Sequence, residues 1–168
     1  MKKERVLVGM SGGVDSSLAA ALLVEQGYEV IGAFMKNWEG DQCEWAQDSS
    51  DAMMVAEHLG IPFRVIDFQT EYRDLIIDYL VREYRAGRTP NPDVYCNRLI
   101  KFGVFYEAFK SLNIDFIGTG HYAITDNMNI YKGVDPGKDQ SYFLSNVYRD
   151  QIAKMKLPVG HLMKYEVR

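Results

Sequence analysis

Three serines, two adjacent glycines and one carboxylate are packed into Ser11-Gly12-Gly13-Val14-Asp15-Ser16-Ser17, directly after the apolar run Val6-Leu7-Val8-Gly9-Met10. The pattern predicts a short buried strand, a Gly-rich turn and a helix from about Asp15. That arrangement aims backbone N–H groups and the positive helix end at one point, where phosphate groups sit. It is not a Walker A loop, because no Gly-Lys-[Ser/Thr] follows the glycines. Ser11, Ser16 and Ser17 can donate hydroxyl hydrogen bonds to phosphate. Asp15 can hold a Mg²⁺ that neutralises phosphate charge, or act as a helix-cap carboxylate with no metal. A tight Gly-Gly turn with no ligand is the plain alternative for the whole stretch.

A second constellation is Gly87-Arg88-Thr89-Pro90-Asn91-Pro92-Asp93-Val94-Tyr95-Cys96-Asn97. Its two prolines predict a rigid, non-helical loop, with Cys96 at or beside the N-terminus of a helix that starts at Asn97. A thiol there, near Arg98 and Lys101, is expected to have a depressed pKa and to carry thiolate at neutral pH. Thiolate is the form that attacks sulfur or carbon. The alternative is a half-buried, inert cysteine. Cys43, the second cysteine, lies in an acidic stretch whose carboxylates would raise a thiol pKa, so it is a poor sulfur partner.

These residues need a scaffold, and the apolar pattern supplies one. Strand-like runs at Val6–Met10, Val30–Met35, Phe63–Phe68 and Asp115–Gly118 alternate with helical runs at Asp15–Gln26, Asp48–Leu59, Glu71–Arg85 and Asn97–Leu112. Gly27, Gly60 and Gly87 close the first three helices. The alternation predicts an α/β fold, a Rossmann-like parallel sheet with helices on both faces. Ligands bind such sheets outside the carboxyl ends of the strands, where the Ser11–Ser17 loop lies. After Tyr122 the pattern changes to a hairpin (Ala123–Thr125 and Ile130–Tyr131), a loop, and a short helix near Ser141–Asn146. A further helix begins close to Glu166-Val167-Arg168, so the chain reads as an N-terminal piece of something longer.

Size and charge bound the rest. At 168 residues, 47% hydrophobic and 25% charged, the chain is one ordinary globular domain. No apolar segment approaches the length that spans a bilayer, and the N-terminal run meets Gly12, Gly13 and Asp15 too soon for a signal peptide. Two cysteines are too few for a disulfide framework, so the cytoplasm is the expected compartment. A net charge of −4 argues against non-specific coating of nucleic acid. The basic stretch Arg82, Arg85, Arg88, Arg98 and Lys101 nevertheless overlaps the second constellation, which gives a local nucleic-acid role weight.

The loop Ser11–Ser17 resembles the PP-loop of the ATP pyrophosphatases (adenine nucleotide alpha-hydrolase type), which cleave ATP between the α and β phosphates. Taken with Phe34-Met35-Lys36-Asn37-Trp38, Gly87–Asn97, Gly118-Thr119-Gly120-His121-Tyr122 and Lys138-Asp139-Gln140-Ser141-Tyr142-Phe143, the chain closely resembles the tRNA-specific 2-thiouridylases (MnmA type) along essentially its whole length. The resemblance implies a PP-loop ATP-binding catalytic domain over 1–168, with 123–168 an extension leading to a tRNA-binding region. It implies adenylation of O2 of the wobble uridine of a tRNA, then displacement of AMP by a persulfide sulfur from a donor protein. By the same resemblance Gly9, Met10, Ser11, Gly12, Gly13, Val14, Asp15, Ser16 and Ser17 bind ATP phosphates, and Met35 and Gly120 contact adenosine by backbone. Asn91, Pro92 and Asp93 meet the target base, with Asp93 as acid/base and Cys96 as nucleophile. His121, Lys138, Asp139 and Gln140 contact tRNA.

The residues alone leave some of these roles open. His121 reads equally as a buried structural histidine, and Trp38 and Trp45 as partly buried aromatics or base-stacking ones. Relatives of this type use a second, later cysteine that receives the persulfide, and the chain stops before its position. ATP and Mg²⁺ are the expected ligands. The competing functions are another PP-loop adenylating ligase, and an ATP-binding fragment without complete turnover.

Overall fold

The computed structural model describes residues 3–38 and 45–168. Cys43 and the acidic residues Glu39, Asp41 and Glu44 lie outside the described residues. The centre of the molecule is β1 (Arg5–Gly9), flanked by β2 (Glu29–Lys36) on one side and β4 (Phe116–Gly118) on the other. With β3 (Phe63–Asp67) and β7 (Met155–Lys156) they form a five-stranded, all-parallel sheet in the order β3-β2-β1-β4-β7. Because the chain runs outward in both directions from β1, a crevice opens at the carboxyl ends of β1 and β4.

Side-chain alternation along β1 explains the two layers. Val6 and Val8 pack with Leu23, Phe34, Ala52 and Ala56 on one face, while Leu7 packs with Phe102, Phe105, Phe109 and Ile117 on the other. Val6, Leu7 and Val8 are fully buried, and burying a side chain of this size contributes about 1.5–3 kcal/mol. The first layer is covered by α1 (Val14–Glu25) and α2 (Trp45–His58). Gly27 (φ +88°) and Gly60 (φ +66°) follow these helices in the left-handed conformation that ends them.

On the second face, α3 (Gln69–Tyr72) and α4 (Asp78–Arg85) are joined by a π-helical turn at Arg73–Ile77. Next come α5 (Pro92–Tyr95), a π-helical stretch at Cys96–Val104, and α6 (Phe105–Phe109). Here the expected loop at Pro90–Cys96 is corrected: the helix starts at Pro92, not at Asn97. Asn91 Oδ1 accepts hydrogen bonds from the backbone N–H groups of Asp93 (3.1 Å) and Val94 (3.4 Å). Pro92 takes the first helical position, where no N–H is required. The acidic Asp93 then sits in the first turn, as the helix dipole favours.

The C-terminal part forms the expected hairpin, β5 (Ala123–Thr125) with β6 (Ile130–Lys132). A 3₁₀ turn at Ser141–Leu144 and α7 (Arg149–Ile152) lead into β7, which pairs with β4. The last elements are a 3₁₀ turn at Pro158–His161 and α8 (Lys164–Val167). Residues 123–168 therefore return to the main sheet. Two residues of strand carry no period, and the sequence did not show it.

Candidate nucleotide-binding site

The loop after β1 is shaped by its own serines. Ser16 Oγ accepts from the Ser11 backbone N–H (3.1 Å) and donates to the Gly13 carbonyl (3.0 Å). Ser17 Oγ also donates to that carbonyl (3.0 Å), and the Ser11 and Ser16 hydroxyls lie 3.2 Å apart. Gly12 is at φ +80°, and a Cβ there would lie 2.6 Å from the Asp48 carbonyl oxygen, so only glycine fits against α2. Gly13 caps α1 without a side-chain bond, which leaves the first-turn N–H groups of the helix to a ligand.

A cavity of about 380 Å³ opens beside this loop. Gly9, Met10, Ser11, Asp15 and Ser16 form one wall, and Phe34, Met35 and Asn37 at the end of β2 form another. Thr119, Gly120 and His121 after β4 line the cavity as well, as do Asp48, Lys101 and Gln140. The two residues expected to meet adenosine through their backbones, Met35 and Gly120, thus face the same space as the phosphate loop. A Cβ on Gly120 would fall 2.6 Å from the Asp15 carbonyl carbon and 2.7 Å from the Ser16 nitrogen. The β4 loop is therefore seated directly on the first turn of α1. Asn37 Oδ1 is buried without a hydrogen-bond partner among the described residues, which leaves an acceptor at the cavity wall.

Asp15 is not a simple cap. Its Oδ1 accepts from the Tyr122 hydroxyl (2.8 Å) and from the Lys164 ammonium of α8. The Asp15 hydrogen bond holds the Lys164 ammonium above its ordinary pKa. Both bonds fall on Oδ1, and Oδ2 makes none among the described residues. A single carboxylate oxygen beside a phosphate-binding loop fits Mg²⁺, which takes one or two carboxylates and completes its shell with phosphate and water. No cluster of three or more His, Cys, Asp or Glu that would form a protein-only metal cage occurs among the described residues.

Cys96 does not line the cavity. It follows α5 and opens the π-helical stretch, a full turn inside the helix rather than at its N-terminus. The expected depressed thiol pKa is corrected accordingly: burial pushes the Cys96 thiol up, Lys101 pulls it down, and Asp93 adds to the rise. Lys101 is the link that sequence reasoning did not single out as a site residue. It lies on the same stretch as Cys96, lines the cavity, and acts electrostatically on both the Cys96 thiol and the His121 ring. The sequence places Lys101 near the Cys96 thiol, but that it also lines the cavity follows only from the tertiary fold.

The residues expected to meet tRNA divide into two groups. Asn91, Asp93 and Lys138 are exposed, although Asn91 spends its side-chain oxygen on capping. Asp139 and Gln140 turn inward. Burial opposes ionisation of Asp139, but hydrogen bonds from the Gly133 and Ser141 N–H groups and the Ser141 hydroxyl hold its carboxyl below the usual range. Gln140 Oε1 accepts from the Tyr122 N–H (3.0 Å). His121 is 8% exposed, its Nδ1 lies 2.8 Å from Thr119 Oγ1, and burial with Lys101 nearby lowers its pKa to about 3. That is the environment of a neutral structural ring. Trp38 is half exposed, whereas Trp45 packs on the α1 face with Lys36 Nζ 4.1 Å from its ring centre.

The sequence profile of the tRNA methyl transferase HUP domain matches residues 4–168. The chain belongs to this family. The HUP domain described here is 56% identical to a tRNA-specific 2-thiouridylase MnmA of Akkermansia muciniphila over 98% of its length and 48% of that protein. It is 52% identical to the same-named protein of Flavobacterium johnsoniae, again over 98% of its length and 45% of that protein. The chain thus spans about half the length of these curated relatives. A predicted subunit of a tRNA methyltransferase from Methanocaldococcus jannaschii shares the fold (TM-score 0.56, 17% identity, 98% of this chain and 72% of that one). So does the U34-tRNA thiolase NcsA from Methanococcus maripaludis (TM-score 0.50, 24% identity, 70% and 38%). Among the described residues, no helix is long and apolar enough to cross a membrane.

Proposed function

We propose that this HUP domain is the ATP-binding, adenylating part of a tRNA-uridine 2-sulfurtransferase. The observation that carries the reading is the cavity at the carboxyl ends of β1, β2 and β4. There a glycine-rich anion loop, a purine-sized space and Lys101, on the same helical stretch as Cys96, come together. The identity with 2-thiouridylases over nearly the whole chain supports the same reading.

In this account ATP lies with its phosphates on the loop from Gly9 to Ser17 and its adenosine against Met35 and Gly120, with Asn37 Oδ1 available to accept a hydrogen bond. Asp15 Oδ2 would hold Mg²⁺, which supplies charge neutralisation at the phosphates. O2 of the wobble uridine attacks the α phosphorus and pyrophosphate leaves. A persulfide sulfur from a donor protein (R–S–S⁻) then attacks C2 of the uridine and AMP departs, leaving an R–S–S–C2 adduct. The Cys96 thiolate attacks the inner sulfur and the S–S bond breaks. The outer sulfur stays on C2 as 2-thiouridine, and R–S is left in a disulfide with Cys96. Asn91, Pro92 and Asp93 approach the base, Asp93 exchanges the proton, and Cys96 is the nucleophilic thiol. Because burial raises the Cys96 pKa, that thiol needs a base when it reacts, and Asp93 is the carboxylate that acts on it electrostatically. His121, Lys138, Asp139 and Gln140 would contact tRNA directly or hold the surface that does, and the compartment is the cytoplasm.

The test uses the full-length protein that carries this domain. Cys96→Ser is expected to abolish 2-thiouridine formation while ATP affinity is unchanged, since Cys96 lies off the cavity. Normal thiolation by the variant would overturn the assignment.

A further inference from the structure

The phosphate loop carries no lysine or arginine between Gly9 and Ser17, and its one ionisable side chain, Asp15, is acidic. Triphosphate bound there would meet hydroxyls and the helix dipole but also a like charge. Lys101 lines the cavity and acts electrostatically on Cys96 and His121. A positive charge at the loop itself comes from Lys164, whose ammonium bonds Asp15 Oδ1 across 149 positions of sequence.

Several contacts fix that delivery. Gly160 lies so close to the Ala123 backbone that a Cβ would overlap its carbonyl oxygen at 1.9 Å, and the Gly160 carbonyl accepts from the Val134 N–H (2.9 Å). The Lys164 N–H donates to Asp135 Oδ2 (2.9 Å), and the Met163 N–H to Glu166 Oε2 (2.7 Å). Val167 is buried beyond it. The Lys164 side chain is only 18% exposed, and Tyr122, which shares Asp15 Oδ1, lies under its ammonium at 5.5 Å from the ring centre. The segment after β7 therefore folds back to place one ammonium at the first turn of α1.

We propose that Lys164 is a phosphate-binding residue of the nucleotide site, its ammonium bridging Asp15 and the β and γ phosphates of ATP. The proposal rests on the reading that the cavity takes ATP. A flexible stem with three rotatable donors can hold a carboxylate and a phosphate at once. Lys164 would thus supply, from the far end of the chain, the cation that a Walker A loop carries within its own motif.

Isothermal titration with ATP and with AMP separates the possibilities. Lys164→Met is expected to weaken ATP binding about ten- to hundredfold, as for a lost charge-assisted hydrogen bond. AMP affinity should stay within about twofold, because AMP lacks the distal phosphates. Lys164→Arg should retain most of the ATP affinity. The same loss of ATP affinity should appear when Lys164→Met is made in an Asp15→Asn background. A loss seen only with Asp15 present means that Lys164 merely neutralises that carboxylate, and overturns the proposal. Unchanged ATP affinity, or ATP and AMP weakened alike, overturns it too. If the native chain binds neither nucleotide, the cavity reading itself fails, a result distinct from native binding that Lys164→Met leaves intact.

Discussion

Gly120→Ala is expected to force apart the two walls of the nucleotide cavity. The added Cβ would lie 2.6 Å from the Asp15 carbonyl carbon and 2.7 Å from the Ser16 nitrogen, both backbone atoms that cannot rotate aside. Relief to ordinary contact needs a separation of about 0.8 Å between the β4 loop and the first turn of α1. Overpacking on this scale costs about 1–3 kcal/mol. For a chain of this size each kcal/mol lowers Tm by about 2–4 °C, so a fall of several degrees is expected. The same displacement moves the loop N–H groups relative to Met35, and ATP affinity should drop on the order of tenfold, since positioning errors near 1 Å reach about a hundredfold. Gly60→Ala is the control. It has φ +66° with nothing within 4 Å of the new Cβ, so it loses about 1 kcal/mol to backbone strain and leaves ATP binding alone. Thermal melting and isothermal titration of the two variants decide the matter. A Gly120→Ala chain that melts and binds like the native one would refute the close seating of β4 on α1.

Other expectations follow from the titrating groups. His121, with its folded pKa near 3 against an ordinary 6.5, stays neutral when buried, so the unfolded chain binds more protons between these values. Stability attributable to it is complete above about pH 6.5 and falls with acidification, by about 2 kcal/mol between pH 7 and pH 5. Urea titrations should show His121→Gln losing that part of the pH slope, and parallel slopes would contradict it. The Cys96 thiol, raised by burial, should alkylate with iodoacetamide more slowly at pH 7 than a free cysteine. Lys101→Met should slow it further by removing the charge that favours thiolate, and a faster rate in the variant would show that Lys101 does not act on the thiol.

The scaffold was legible because its signals are local. Val6–Met10 reads as strand, the Gly-Gly turn as an anion loop, and Gly27, Gly60 and Gly87 as helix stops, and all three stops adopt positive φ. Met35 and Gly120 were placed from the resemblance, and sheet topology brings both to the cavity. What was missed depended on contacts far along the chain or on competing local chemistry. Pro90 and Pro92 read as one loop in the sequence, whereas Asn91 before Pro92 is a helix cap. That misplacement moves Cys96 to a helix terminus, while the direction of its pKa is set chiefly by burial, which the local sequence does not show. Lys164 bears no motif of its own, and its role emerges only where the chain folds back to Asp15. The two-residue strand Met155–Lys156 that fixes this return is too short to carry a period.

In the proposed function the cavity activates a tRNA uridine with ATP. Pyrophosphate release by the full-length protein carrying this domain, measured with ATP and Mg²⁺ in the presence and absence of tRNA lacking 2-thiouridine, tests it most directly. Release that depends on the unmodified tRNA and persists without a sulfur donor is expected. Release that is indifferent to tRNA, or ATP binding with no release under any of these conditions, would contradict it.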